Sequence, residues 1–182
     1  MKKINNVRAW ILAASVSLVM VACGQSTKNE HDHSTHQQEV ADETVSQNSS
    51  LSKEEAKAIL NAYLEVKDAL VKTDGEAAKV KATHLVSLLD SKDELAQKVK
   101  FDAEHIAQTH DTDHQRDHFN TLSENVYVLV KNTSANENTI YRQYCPMAFD
   151  NKGAYWLSAE KEVNNPYFGD MMLHCGMVKE EL

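Results

Sequence analysis

The sequence predicts a mainly α protein: an antiparallel four-helix bundle followed by a small, aromatic-rich, β-containing C-terminal subdomain. Three observations carry that reading. Four apolar stripes recur at helical spacing between Leu51 and Lys131. Three of them open with a Ser/Thr-x-x-Glu/Gln pattern, the signature of a helix N-terminus. Beyond Lys131 the apolar residues become aromatic and β-branched, punctuated by Pro and Gly, which favours short strands and turns.

Residues 1–22 read as a lipoprotein signal peptide. Lys2, Lys3 and Arg8 make a short basic start, and Trp10–Val21 is apolar but too short for a bilayer span of about 20 residues. The run ends in Met-Val-Ala-Cys-Gly, a lipobox in which Met20 stands where Leu is commonest. Cleavage before Cys23 makes that cysteine the lipid attachment point. It puts the remaining chain in the cell envelope, anchored to the membrane on the periplasmic or outer-membrane face. A transmembrane anchor is the alternative reading. Losing the three basic residues takes the formal charge from −8 to −11. Nucleic acid is thereby excluded as a partner, since phosphate binding depends on Lys and Arg. Residues 23–50 lack large apolar side chains and read as a flexible tether. Within it His31, His33 and His36 either form a weak site for Cu(II), Zn(II) or Ni(II), or are solvated linker residues.

Residues 51–182 form the folded part. Ser52 with Glu55 opens the first helix, bearing Ala56, Ile59, Tyr63, Val66 and Leu70, and Asp74-Gly75 breaks it. The second carries Ala78, Ala82, Leu85 and Leu89 and ends near Asp90. Ser91 with Glu94 opens the third, bearing Leu95, Val99 and Ile106. Thr112 with Gln115 opens the fourth, bearing Phe119, Leu122, Val126 and Leu129. Short turns between these runs favour antiparallel neighbours. Strands are expected at Thr139–Tyr144 and Ala154–Leu157, with a hairpin turn at Asp150–Gly153 and a second turn at Asn165–Gly169. Seven of the twelve aromatic residues lie from Tyr141 onward. So short a tail cannot bury a core of its own, so its rings should pack on the bundle or around the cysteines.

That tail holds Cys145 and Cys175, the remaining thiols once Cys23 is lipidated, with Met147, Met171, Met172, His174 and Met177 close by. Thiolate, thioether and imidazole form the soft donor set that suits Cu(I). Equally, two thiols in an oxidising compartment form a disulfide, and closing a loop of about 30 residues would stabilise the fold by roughly 3–4 kcal/mol. In that case the methionines only fill gaps. A thiol oxidoreductase is a third reading, without a Cys-x-x-Cys motif to support it. Among the bundle histidines His84, His105, His110, His114 and His118, the last two are four apart and would share a helix face. Asp102 and His105 do not reproduce the Glu-x-x-His pattern of di-iron bundles, so solvated or hydrogen-bonded histidines are the expectation. No nucleophile elbow, phosphate loop or His-Glu-x-x-His is present, and no enzymatic activity is expected.

The tail also carries a resemblance. Tyr144-Cys145-Pro146-Met147-Ala148-Phe149, Gly153-Ala154-Tyr155-Trp156-Leu157-Ser158, Asn165-Pro166-Tyr167-Phe168-Gly169 and Met172-Leu173-x-Cys175-Gly176 resemble an uncharacterised bacterial domain. That domain is found in exported lipoproteins and appended to periplasmic adaptor subunits of copper and silver efflux pumps. Gln115-Arg116-x-x-Phe119, Leu122-Ser123 and the run from Ala62 to Asp74 resemble its helical part. The resemblance implies a heavy-metal context, with Cys145, Met147, Met172 and Cys175 as the matching soft residues. Met171 and His174 lie outside the pattern, and His174 is an auxiliary candidate ligand. The implied function is a non-enzymatic envelope protein that binds or passes a soft ion such as copper, in the company of efflux adaptor or pump components. The alternative is a disulfide-stapled adaptor module with no metal.

Overall fold

A computed structural model describes residues 50–89 and 92–182. The signal segment, Cys23, the tether with His31, His33 and His36, and the capping candidate Ser91 lie outside the described residues. The described chain is mainly helical, with four long helices and a small C-terminal antiparallel sheet. They are α1 (Lys53–Val71), α2 (Gly75–Ser87), α3 (Glu94–Ala107) and α4 (Thr112–Thr133). Consecutive helices pack on one another, and α1 also packs on α4. Every residue of the four predicted apolar stripes is buried, from Ala56 to Leu129.

The helix starts follow the expected chemistry, with two changes of residue. At α1 the capping box is complete: the Glu55 amide donates to the Ser52 hydroxyl at 3.2 Å, and the Ser52 amide donates to the Glu55 carboxylate at 2.9 Å. The cap of α3 is Asp93, which accepts from the Ala96 amide at 3.0 Å, instead of the expected Ser91. At α4 the cap is Asp111, one residue before the expected Thr112. A carboxylate caps as well as a hydroxyl, so an Asp next to a Ser or Thr can take the role. Gln115 is thereby released from capping. It is fully buried, and its amide donates to the carbonyls of Gly75 and Thr109, both at 2.9 Å, and of Ile106 at 3.3 Å. It thus ties the start of α2 to the turn between α3 and α4. Gly75 allows that approach, since a Cβ there would lie 2.0 Å from the His110 carbonyl oxygen.

After α4, Ser134 turns the chain in the left-handed conformation, with φ of 49°. Strands β1 (Tyr141–Cys145) and β2 (Ala154–Ser158) fall where the aromatic and β-branched pattern put them. The turn between them has three left-handed residues, Phe149, Asp150 and Asn151, before Gly153. A third strand, β3 (Met177–Glu181), pairs with the other edge of β1, giving the order β2-β1-β3. It was not expected from its sequence. Lys179, Glu180 and Glu181 give it the charge of an exposed edge and hide its strand character.

Aromatic rings and two basic residues hold this sheet on the helices. Tyr167 lies among Phe119, Phe149 and Trp156, with ring centres 5.3–5.9 Å away, and Tyr63 stacks on Phe119 at 5.2 Å. The tail therefore uses the helices as its core, as its size demands. Arg142 of β1 is sandwiched between Tyr127 of α4 at 3.8 Å and Tyr155 of β2 at 4.1 Å, and donates to Glu124 at 2.7 Å. Arg116 of α4 donates to the Pro166 carbonyl at 2.9 Å and to Thr73 Oγ1 at 3.0 Å.

Tyr63 is the most connected of these anchors. Its hydroxyl lies 2.9 Å from Ser123 Oγ and accepts the Leu157 amide at 3.0 Å. Leu157 belongs to an edge strand, and its amide has no partner strand on that side. Burial pushes the Tyr63 phenol far above its usual range, so it stays neutral. Tyr63→Phe should lower stability by about 1–3 kcal/mol, because it strands a buried amide. Urea denaturation checks this, and an unchanged midpoint would contradict the anchoring role.

Candidate functional site

The two thiols lie 30 residues apart in sequence, and the sheet brings them together. Cys145 ends β1 on its inner face and is fully buried. Cys175 sits in the segment entering β3 and is half-buried. Their sulfurs are 3.2 Å apart as free thiols. The pairing of β1 with β3, in which Tyr144 faces Met177, delivers Cys175 to the end of β1.

The approach of Cys175 is organised by Asn165, which is fully buried. Its side-chain amide donates to the Cys175 carbonyl at 2.7 Å, and its carbonyl oxygen accepts from the Tyr167 amide at 2.8 Å. Its backbone amide donates to Leu173 O at 2.8 Å. From sequence, Asn165 is only a turn residue ahead of Pro166. The signal for its larger role is that an Asn buried beside a Cys-bearing loop must spend its amide on backbone. Gly176 follows Cys175 with φ of +151°, and a Cβ there would lie 3.0 Å from both the Trp156 ring and the Tyr144 carbonyl oxygen. Only glycine lets the chain pass so close beneath the tryptophan.

The surrounding soft residues are placed unevenly. Met147 follows Pro146 directly after Cys145 and is 48% exposed. Met171 is 76% and Met177 45% exposed. Facing Tyr144 across the strand pair, Met177 lies on the opposite sheet face from Cys145. Met172 is half-buried, and its carbonyl accepts the Cys175 amide at 3.0 Å. His174 is exposed, with Nδ1 2.8 Å from the Val163 carbonyl oxygen. A core gap-filler would be enclosed, and Met147 is not.

A hydrogen bond to Cys145, followed by burial, pushes the Cys175 thiol above its usual value of 9.0. A raised thiol is a weaker nucleophile at neutral pH than an ordinary one. Two thiolates on one ion at about 2.3 Å each lie roughly 4 Å apart, whereas a disulfide needs about 2.05 Å. The observed separation falls between those states, so opening slightly would admit a soft ion and closing would form a bond.

Among the bundle histidines, His84 is exposed, with Nδ1 4.0 Å from Glu65, and His110 lies in the turn before α4. His105, His114 and His118 come together beside Asp102. Among the described residues, no three His, Cys, Asp or Glu side chains already converge on one ion position. Nor does any described helix have the length and apolarity to cross a membrane.

Fold and site together define a mainly helical protein carrying a close dithiol on a small appended sheet. Residues 59–138, from within α1 to just before β1, match a domain family described as protein of unknown function (DUF3347). The match ends before either tail cysteine. No curated protein and no solved structure matches the chain.

The Cys175 shift has a measurable sign. A pKa raised in the folded state adds stability that is complete below the unfolded value and lost as pH rises through the folded one. The reduced protein should therefore melt at a progressively lower temperature above pH 9. Cys175→Ser should lack that component. Superimposable alkaline melting curves for the two proteins would refute the assignment.

Proposed function

We propose that this is a non-enzymatic, lipid-anchored envelope protein that takes up a soft cation, with Cu(I) the best match, and holds it for transfer. The observation that carries the reading is the pair of free thiols 3.2 Å apart, one buried and one half-buried. Cys145 and Cys175 would be the principal ligands, Met147 and Met172 the thioether donors beside them, and His174 an auxiliary donor. Soft sulfur ligands select Cu(I) over harder ions. The exposure of Met147 supports this role, because a thioether left in water beside a dithiol gains little from packing.

The wider setting rests on the sequence. The lipobox ending at Cys23 supports attachment to the membrane. The resemblance of the tail to a domain appended to copper and silver efflux adaptors supports a partner in metal efflux. The cyclic packing of α1 on α2, α2 on α3, α3 on α4 and α4 on α1 supports an antiparallel bundle, which would serve as the docking body. The formal charge of −8 favours cations over nucleic acid.

The short sulfur–sulfur distance also favours a second reading. Loss of two protons and two electrons to an envelope oxidant would join Cys145 to Cys175, giving a stapled interaction module without metal. Titration of the reduced protein with Cu(I) against a competing chelator separates the two. The metal reading expects one equivalent bound, with Cys145→Ser losing it and Met147→Leu weakening it about tenfold. Full uptake by Cys145→Ser would defeat the assignment.

A further inference from the structure

We propose a second metal site, distinct from the dithiol, at His105, His114 and His118, selective for a divalent imidazole-seeking cation such as Zn(II) or Cu(II). Two helices build it. His105 is on α3, and His114 and His118 are one turn apart on α4, the helix that packs against α3. The ring centres are 4.2 Å apart for His105 and His118, 4.9 Å for His114 and His118, and 6.4 Å for His105 and His114. With metal–nitrogen bonds of about 2.0–2.1 Å, two imidazoles on one tetrahedral ion have centres roughly 5 Å apart. The His114–His118 separation matches that value, while the His105–His118 pair stands closer and the His105–His114 pair farther, so small ring movements would bring the three to an ion.

Their second nitrogens are also committed in the way metal ligands require. His118 Nδ1 is 3.1 Å from Asp102 Oδ1, and His105 Nδ1 is 2.9 Å from the Phe101 carbonyl oxygen. A carboxylate and a carbonyl only accept, so each Nδ1 carries the hydrogen, and in the neutral ring Nε2 is then the atom with a lone pair to offer. Metal-bound histidines are fixed by such partners almost without exception. Asp102 is only 4% exposed, and Asn125 also donates to it.

The rings now stand stacked, with His105 and His118 inclined by 21°, so they do not yet aim at one point. His114 is exposed and the other two are half-buried, so turning them breaks no core packing. A cleft of about 630 Å³ between α3 and α4 reaches His118 and Asp102, though not His105 or His114. The nitrogen donors separate this site from the sulfur site for Cu(II) and Ni(II), whereas Zn(II) suits both imidazole and thiolate, and Cu(I) suits thiolate.

The test uses the full chain with His31→Ala, His33→Ala and His36→Ala, which removes those imidazoles, and with Cys145→Ser and Cys175→Ser, which removes thiolate binding of Zn(II). Histidine ring resonances followed by NMR during Zn(II) addition should show His105, His114 and His118 shifting together at one equivalent. Rings that stay unmoved would overturn the proposal. His118→Ala should weaken binding more than tenfold, and Asp102→Asn by about 10–100-fold, while circular dichroism verifies the helices. Equal affinity in His118→Ala would also overturn it. Should either variant fail to fold, the ring shifts of the chain with an intact cluster decide the matter.

Discussion

The appended sheet has no interior of its own, and this dependence shapes the molecule. Three five-residue strands expose one face to water, so the other must be buried on something. The something is the α1–α4 surface, where Tyr63 and Phe119 receive Tyr167 and Trp156. The Tyr63 hydroxyl then satisfies an edge-strand amide that would otherwise be buried unpaired. Once the sheet is docked, β1 is fixed, and pairing on its outer edge sets where β3 begins. That register, more than any contact between the cysteines, is what brings Cys175 to Cys145. Arg142, clasped between tyrosines from α4 and β2, keeps the strands from sliding over the helices.

The helices were legible because a stripe of four or five apolar residues at helical spacing has few other uses. Their starts were less so. Ser91 and Asp93 both suit a cap, as do Thr112 and Asp111, and the choice depends on where the chain enters from. The tether-proximal Ser50, whose amide donates to Asp93 at 2.6 Å, is part of that entry at α3 and cannot be foreseen locally. Strands β1 and β2 were visible through Tyr, Ile and Trp, and β3 was concealed by its charged edge. The buried anchoring of Gln115, Gln143 and Asn165 is not legible in the sequence, where Gln115 reads as a capping residue and Asn165 as a turn residue. Each is an ordinary surface residue type whose burial arises only when distant carbonyls converge on it. Gln143, for example, collects the carbonyls of Glu160, Lys161 and Glu162.

The candidate sites divide along the same line. Nearby Cys and Met residues could be gathered from sequence, but the thiol separation could not, since it depends on a strand that was not foreseen. His114 and His118 were recognisable as one face of one helix. The arrival of His105 depends on how α3 lies against α4, which no spacing within a helix reveals. The result is a chain with two donor sets of opposite character. Sulfur gathers at the sheet, where backbone pairing draws the two thiols together. Nitrogen gathers on the helices, where second nitrogens are tied to a buried carboxylate and a helix carbonyl.

The central claim is that Cys145 and Cys175 are working thiols. Differential alkylation of protein isolated from the cell envelope, followed by mass spectrometry, tests it most directly. Both cysteines should be reduced, shielded from alkylation in cells grown with copper, and reactive again once a Cu(I) chelator is added. A pair found fully oxidised whether or not copper is supplied would contradict it, leaving a disulfide-stapled module in its place.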